Sequence, residues 1–339
     1  MTGTAPNDPT TTPVNWSDSA VLVTGGTGSF GQAFVRIMLE EYHPRRLVIL
    51  SRDELKQSEM KAKWPDGPDS PMRYFLGDVR DYQRLLRAMN RVDIVVHTAA
   101  LKQVPALEAN PFEAVQTNII GSKNLIEAAI DAGVRRTVAL STDKAVNPIN
   151  LYGATKLVAE KLFVQGNAYS GLGGAIFACA RYGNVVGSRG SVIPVFKEQS
   201  KNGAVTVTDE RMSRFWISLE QGVRFVIRVV EQMRGGEVFV PKIPSMKLTD
   251  LVQAVAADCR VEVTGIRPGE KLHEVLISED ESRQVLEFDD YYVILPTYIG
   301  WGTPGWTGGK AVPDRFRYAS DTNLQRLNVD ELARMAEEV

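Results

Sequence analysis

Tyr152 and Lys156 stand four residues apart. On a helix that spacing puts both side chains on one face, where the ammonium can lower the phenol pKa and let Tyr152 take a proton near neutral pH. Ten residues before Tyr152, the apolar run Thr137 to Leu140 delivers Ser141, Thr142, Asp143 and Lys144, which set hydroxyl, acid and base side by side. An alcohol oxidation alone needs less equipment. The competing structural reading is an ordinary Tyr/Lys helix face after a polar turn, with Asp143 and Lys144 as a mutual salt bridge at a strand end.

A nucleotide site is predicted near the start of the chain. Ala20 to Thr24 is a short apolar run, after which Gly25, Gly26, Thr27, Gly28, Ser29, Phe30 and Gly31 open an amphipathic segment continuing through Phe34, Ile37 and Met38. Strand, glycine turn and helix in that order turn backbone N–H groups and a positive helix end toward a pyrophosphate. The glycines are spaced G-x-x-G-x-x-G rather than G-x-G-x-x-G, and a tight structural turn would look alike. The next strand, Leu47 to Leu50, ends at Ser51, Arg52, Asp53, Glu54, Leu55 and Lys56, about twenty residues past the last glycine, where an adenosine ribose should lie. Ser51, Arg52 and Lys56 suit a 2′-phosphate and favour NADP; the alternative is NAD held by Asp53 or Glu54, with Arg52 and Lys56 solvated.

These residues need a scaffold, and 339 residues suffice for one large α/β domain plus a smaller lobe. A formal net charge of −2 gives no sign of a nucleic-acid or membrane surface. Cys179 and Cys259 are too far apart to suggest a disulfide framework or a metal site, and His43, His97 and His273 lack metal-ligand spacing. His97, ending an apolar run, reads as a packed residue. No run approaches a membrane span, and residues 1–18 are polar and Thr/Pro-rich, so a cytoplasmic protein with a disordered N-terminal extension is expected.

Strand patterns at Ala20 to Thr24, Leu47 to Leu50, Arg73 to Leu76, Asp93 to His97, Thr137 to Ser141 and Ala175 to Arg181 alternate with helical ones. The helices are expected at Phe30 to Glu41, Leu55 to Lys63, Tyr82 to Arg91, Pro111 to Ala132 and Tyr152 to Tyr169. This repetition predicts a doubly wound parallel sheet that binds ligands at the carboxyl edge of its strands. Asp78 and Val79 on that edge would contact the adenine, and Thr98, Ala99 and Lys102 would lie along the cofactor. Beyond residue 182 the alternation loosens, as expected of a lobe over residues 183–339 that closes on a substrate and can return some segments to the domain at 19–182. Trp216, in an apolar run, reads as core.

The glycine turn, the Tyr-x-x-x-Lys pair and the looser C-terminal part resemble the extended short-chain dehydrogenases/reductases. More specific are Ser51 to Lys56, Ala99 to Lys102, Ser141 to Lys144, Arg181 to Ser191, Arg214 to Ile217, Val240 to Lys247 and Gly265 to Lys271. Together they resemble the inverting UDP-N-acetylglucosamine 4,6-dehydratases of pseudaminic acid biosynthesis, from about residue 19 onward. Gln103 departs from the pattern, since some members carry His there.

The resemblance implies a Rossmann domain, NADP as cofactor, UDP-N-acetylglucosamine as substrate and a homo-oligomer. It implies that Tyr152 removes the 4-hydroxyl proton, that Lys156 holds the ribose, and that Thr142 orients the hydroxyl. The 4-keto group then acidifies the C5 hydrogen, Lys144 removes it, and protonated Asp143 donates to the departing 6-hydroxyl. In retaining hexose dehydratases a Glu follows the Asp, so Lys144 points to the inverting branch; to act, its amine must be neutral, through desolvation or a neighbouring cation such as Lys102. Leu140 and Ser141 would line the cofactor. Asn184 and Val185 would contact the sugar or diphosphate, Arg189 and Arg267 its phosphates, and Glu270 would fix Arg267 or a ribose hydroxyl. Lys102 could reach cofactor or substrate, and Asn118 would support a catalytic water or the helix backbone. A sugar-nucleotide epimerase or reductase, or a non-catalytic NADP-binding protein, are the alternatives.

Overall fold

The computed structural model describes residues 13–171, 173–187, 192–297 and 306–337. Six strands, Ala20–Thr24 (β1), Arg46–Ser51 (β2), Met72–Leu76 (β3), Ile94–His97 (β4), Arg136–Thr142 (β5) and Ile176–Tyr182 (β6), pair in parallel in the order β3-β2-β1-β4-β5-β6. That is the doubly wound arrangement, with a change of direction beside β1 where a dinucleotide can lie across the strand ends. β1 and β6 are buried along their whole length because helices cover both faces. Those helices are Ser29–Ile37 (α1), Glu54–Lys63 (α2), Tyr82–Ala88 (α3), Val104–Ala109 (α4), Pro111–Ala114 (α5), Gly121–Asp131 (α6) and Leu151–Ser170 (α7).

The pattern from Pro111 to Ala132 predicts one helix, but α5 and α6 are joined by a π-helical stretch, Val115–Ile120. Such wide turns re-aim side chains, commonly at functional sites. Here the stretch carries Thr117 and Asn118, both buried.

The rest of the chain comprises Asn184–Val185 (β7), Val192–Ser200 (α8), Ala204–Val207 (β8), Ser213–Ile217 (β9), Leu219–Gln232 (α9), Val238–Pro241 (β10), Ser245–Lys247 (β11) and Leu248–Ala256 (α10). Arg260–Val263 (β12), Val275–Ile277 (β13), Val285–Glu287 (β14), Tyr291–Ile294 (β15), Lys310–Ala311 (β16), Tyr318–Ala319 (β17) and Val329–Glu337 (α11) follow. β10 joins β6 in parallel, and β15, β14 and β16 continue antiparallel, extending the main sheet to ten strands among the described residues. A second core, with Ile193, Phe196, Trp216, Leu251 and Leu332, lies under α8, α10 and α11. α9 is amphipathic and returns to the first core, burying Val223, Val226, Ile227 and Val230, each worth roughly 1.5–3 kcal/mol.

The extension expected to be disordered is ordered over residues 13–18. Trp16 is buried, packs edge-on against Tyr42 at 5.5 Å and donates its indole N–H to Glu231 at 2.8 Å. A large aromatic with a satisfied N–H offsets the entropy of fixing a short polar segment. Among the described residues no helix is long and apolar enough to cross a membrane.

Candidate active site

A trough runs along the carboxyl edge of the parallel strands. One end, about 440 Å³, is lined by Thr27, Ser51, Arg52, Asp53, Lys56, Asp78, Val79 and Thr117. The other, about 500 Å³, is lined by Ser29, Phe30, Gly31, Thr98, Lys102, Leu140, Ser141, Thr142, Lys144, Tyr152, Lys156, Asn184 and Val185. Gly25, Gly28, Ala99 and Ala100 belong to both.

The trough fits a dinucleotide. Gly25 adopts φ +65°, and a Cβ there would lie 2.8 Å from Thr98 Oγ1 and 2.9 Å from the Ala99 backbone, so a side chain would be strained and would crowd the crossing point. Gly28 caps α1 with no side-chain acceptor, leaving the first-turn N–H groups directed at the trough, as a pyrophosphate requires. At the far end, buried Thr117 Oγ1 has no hydrogen-bond partner. Asp53 caps α2 by accepting from the Lys56 N–H at 3.0 Å and pairs with the Lys56 ammonium at 2.6 Å. Arg52 stays half exposed, 3.5 Å from Asp78.

The strand-end run Ser141 to Lys144 is held by its neighbours. Ser141 donates to Glu160 at 2.7 Å, and Glu160 with Glu281 grips the fully buried Arg181 of β6 at 2.5 and 2.8 Å. α7 then brings Tyr152 against the turn Asp143–Ala145, with Asn150 capping the helix through the Gly153 N–H at 2.7 Å. Only glycine fits after Tyr152, because a Cβ at Gly153 would lie 2.1 Å from the Lys144 carbonyl oxygen. Asn118 clamps the Leu101 backbone by a pair of hydrogen bonds, 2.8 and 2.9 Å, and donates to Thr155 at 3.0 Å. It therefore fixes the loop bearing Lys102.

Asp143 is fully buried; its Oδ1 accepts from Thr142 Oγ1 at 2.9 Å and from Lys144 Nζ at 3.0 Å, and its Oδ2 has no partner. Burial, with the nearby Glu274 carboxylate, raises its pKa above the usual range against the pull of Lys144. Ionised, it holds the Lys144 ammonium in a salt bridge, and the raised pKa favours its taking up a proton once that ammonium is discharged. Lys144 itself departs from expectation. Burial disfavours its ammonium, but Asp143 and Glu274 outweigh that and hold the pKa above its ordinary value. Lys102, lowered by burial and by Lys144, does not reverse this.

Tyr152 also departs from expectation. Its pKa is pushed up to about 12 by burial, opposed by Lys144 rather than by Lys156. Lys156 instead donates to the Leu140 carbonyl oxygen at 2.6 Å, and burial lowers its own pKa.

Other expected residues fall outside the trough lining. Glu54 and Leu55 begin α2, with Leu55 67% exposed. Arg267 is exposed and does not line the trough. Glu270 lies 3.5 Å from Arg214 of β9 and accepts from the backbone N–H of Arg267 at 3.4 Å. Arg189 lies outside the described residues. Trp216 is core, as expected, yet it also lines the trough. Sequence reasoning passed over Glu274, which lies directly before β13 and whose only signal was its place after the Gly265 to Lys271 run. Among the described residues no three His, Cys, Asp or Glu side chains cluster to hold a metal.

Comparison with known proteins agrees with this geometry. The family described as polysaccharide biosynthesis protein matches residues 21–296. The UDP-N-acetylglucosamine 4,6-dehydratase (inverting) of Campylobacter jejuni serotype O:2 is 52% identical over 89% of this chain and 92% of its own. The UDP-glucose 4-epimerase of Rickettsia conorii is 40% identical over 93% and 94%. Among solved structures, Pen from Bacillus thuringiensis is 37% identical with a TM-score of 0.87, covering 96% of this chain and 99% of its own. DesIV, a dTDP-glucose 4,6-dehydratase from Streptomyces venezuelae, shares the fold at 24% identity and a TM-score of 0.64, over 75% and 86%. With a family match over residues 21–296 and relatives of 40–52% identity along most of its length, the chain belongs to the polysaccharide biosynthesis protein family of extended short-chain dehydrogenases/reductases.

Proposed function

We propose that the chain removes water from UDP-N-acetylglucosamine across C5 and C6 and inverts C5, giving UDP-2-acetamido-2,6-dideoxy-β-L-arabino-hex-4-ulose at the start of pseudaminic acid biosynthesis. The observation that carries this reading is the contact of buried Asp143 with Lys144, which lines the trough together with Tyr152. An epimerase needs the Tyr/Lys pair but no acid and base for an elimination. Support also comes from the 52% identical relative named for this reaction.

Tyr152, facing Thr142, takes the 4-hydroxyl proton while Thr142 holds that hydroxyl. A nicotinamide held by the glycine turn and Lys156 would supply a reversible hydride acceptor for C4 and donor for C6, with no net redox change. The 4-keto group makes the C5 hydrogen acidic, and Lys144 as free amine removes it. Asp143 gives its proton to the 6-hydroxyl, which leaves as water. A solvent-derived proton delivered to C5 from the opposite face completes the inversion. Asn184 and Val185 hold the sugar nucleotide at the lobe side of the trough.

NADP is the cofactor we favour, because Asp53 is engaged in capping α2 and pairing Lys56, while Arg52 remains available at the adenosine end. The homo-oligomer is supported by Phe112 and Val158, exposed on α5 and α7. Incubation with UDP-N-acetylglucosamine in deuterated water, followed by NMR, tests the reaction. A 4-keto-6-deoxy product with inverted, deuterated C5 is expected; a 4-epimer would assign the chain to the epimerases, and no turnover would reject both.

A further inference from the structure

Lys144 must become a free amine to remove the C5 proton, yet its ammonium lies between two carboxylates. Asp143 Oδ1 is 3.0 Å away and Glu274 Oε1 is 3.4 Å away. Glu274 is 3% exposed, and its backbone is fixed by reciprocal hydrogen bonds with Ser320, both 2.9 Å. Its Oε2 is buried without a hydrogen-bond partner, leaving the carboxylate incompletely satisfied.

We propose that Glu274 is a positioning residue, which holds Lys144 in place in the open site and takes the proton from its ammonium when substrate covers the trough. The proposal rests on the dehydratase reading. In the step one Nζ–H bond breaks and one Oε–H bond forms, and an ion pair becomes an amine and a carboxylic acid. Lys144 is the wet end of the pair, with a side chain 26% exposed. Once substrate removes that water, the pair loses solvation while Glu274 Oε2 still lacks a partner, which favours the neutral amine and acid.

The surrounding charges fit both states. Arg214 Nε of β9, 3.8 Å from Glu274 Oε1, and Lys271 favour the carboxylate while the site is open. Lys102 from the loop after β4, with Arg214 and Lys271, disfavours the Lys144 ammonium, and Asp143 favours it. Tyr152 of α7 also faces Lys144. Among the described residues Glu274 is the one carboxylate paired with Lys144 that the elimination leaves free, since Asp143 serves the 6-hydroxyl.

The test is pH-dependent modification of Lys144 by cyanate in substrate-free protein, read by peptide mass spectrometry, for wild type, Glu274→Gln and Glu274→Asp. The Gln variant should react at a midpoint lower by about one pH unit, the scale on which a lost neighbouring charge moves a pKa. Its solvent-deuterium incorporation at C5 should fall about 10²-fold with KM little changed, and the Asp variant should recover part of both. An unmoved midpoint in folded Gln variant, or equal exchange in the Gln and Asp variants, overturns the proposal. Should the Gln variant fail to fold, as judged by circular dichroism, the Asp variant decides: a smaller shift in the same direction is expected, and no shift overturns it. Absence of product from wild type would instead reject the dehydratase reading, while the modification midpoint still decides whether Glu274 holds Lys144.

Discussion

Lys156 donates to the carbonyl oxygen of Leu140 across 2.6 Å, tying α7 to the end of β5. The ammonium is thereby kept at the trough wall, where a ribose hydroxyl can reach it, and the charge beside the Tyr152 phenol belongs to Lys144. A phenol pushed up to about 12 by burial needs that neighbour and the bound substrate before it can act as a base. Tyr152→Phe should therefore lower kcat by about 10²–10⁴-fold, the usual worth of a positioned proton acceptor, with cofactor binding retained. Steady-state kinetics beside a cofactor titration checks this, and kcat within a few-fold of wild type would remove Tyr152 from the chemistry.

Asp143 and Lys144 are assigned to one half of the reaction only. Lys144→Ala should abolish deuterium entry at C5 while leaving cofactor affinity unchanged. Asp143→Asn keeps the shape but cannot donate a carboxyl proton, so C5 exchange should continue while release of water slows. NMR of the sugar after incubation in deuterated water separates the two outcomes. If Lys144→Ala still exchanges C5, the base is another group.

Much of this site was legible in the sequence because its groups are local. Strand, glycine turn and helix are contiguous from Ala20 to Ile37, and Thr142, Asp143 and Lys144 are adjacent, so spacing alone brings them together. The charge state of Lys144 was not legible, since Glu274 reaches it from a position 130 residues later through the β13 connection. The pairing of Glu270 with Arg214 was not legible for a related reason: Arg214 lies on a strand that no local pattern places beside it. The return of β10 and β14 to β16 to the main sheet also escapes periodicity, because short buried strands look alike in either domain. The π-helical stretch at Val115–Ile120, which carries Thr117, keeps a helical pattern and so is invisible to periodicity.

Cofactor choice turns on Arg52. Its guanidinium is half exposed and only loosely engaged by Asp78 at 3.5 Å, so a 2′-phosphate can recruit it without first breaking a buried pair. Arg52→Ala should weaken NADP binding by about 1.5–3 kcal/mol, the range for hydrogen bonds to charged groups, and leave NAD binding nearly unchanged. Calorimetric titration of both nucleotides into both proteins reads this difference directly. Equal losses for NAD and NADP would mean that Arg52 supports the loop rather than the phosphate.

His97 gives the fold a predictable acid sensitivity. It ends β4 at 2% exposure, with Nδ1 2.7 Å from Thr24 Oγ1, and burial together with the Lys156 ammonium lowers its pKa from 6.5 to about 3. Between those two values the unfolded chain binds a proton that the folded chain refuses, so stability rises with pH across the window. The contribution is complete above pH 6.5 and drains as pH falls toward 3. At pH 5 it costs about 2 kcal/mol relative to pH 7, from roughly 1.36 kcal/mol per pH unit below 6.5. Urea unfolding at the two pH values should show this loss in wild type, and His97→Gln, which cannot titrate, should show a dependence flatter by the same amount. Parallel losses in the two proteins would place the acid sensitivity in other groups, since the His97 ring is the only part of the chain that the substitution removes from the proton balance.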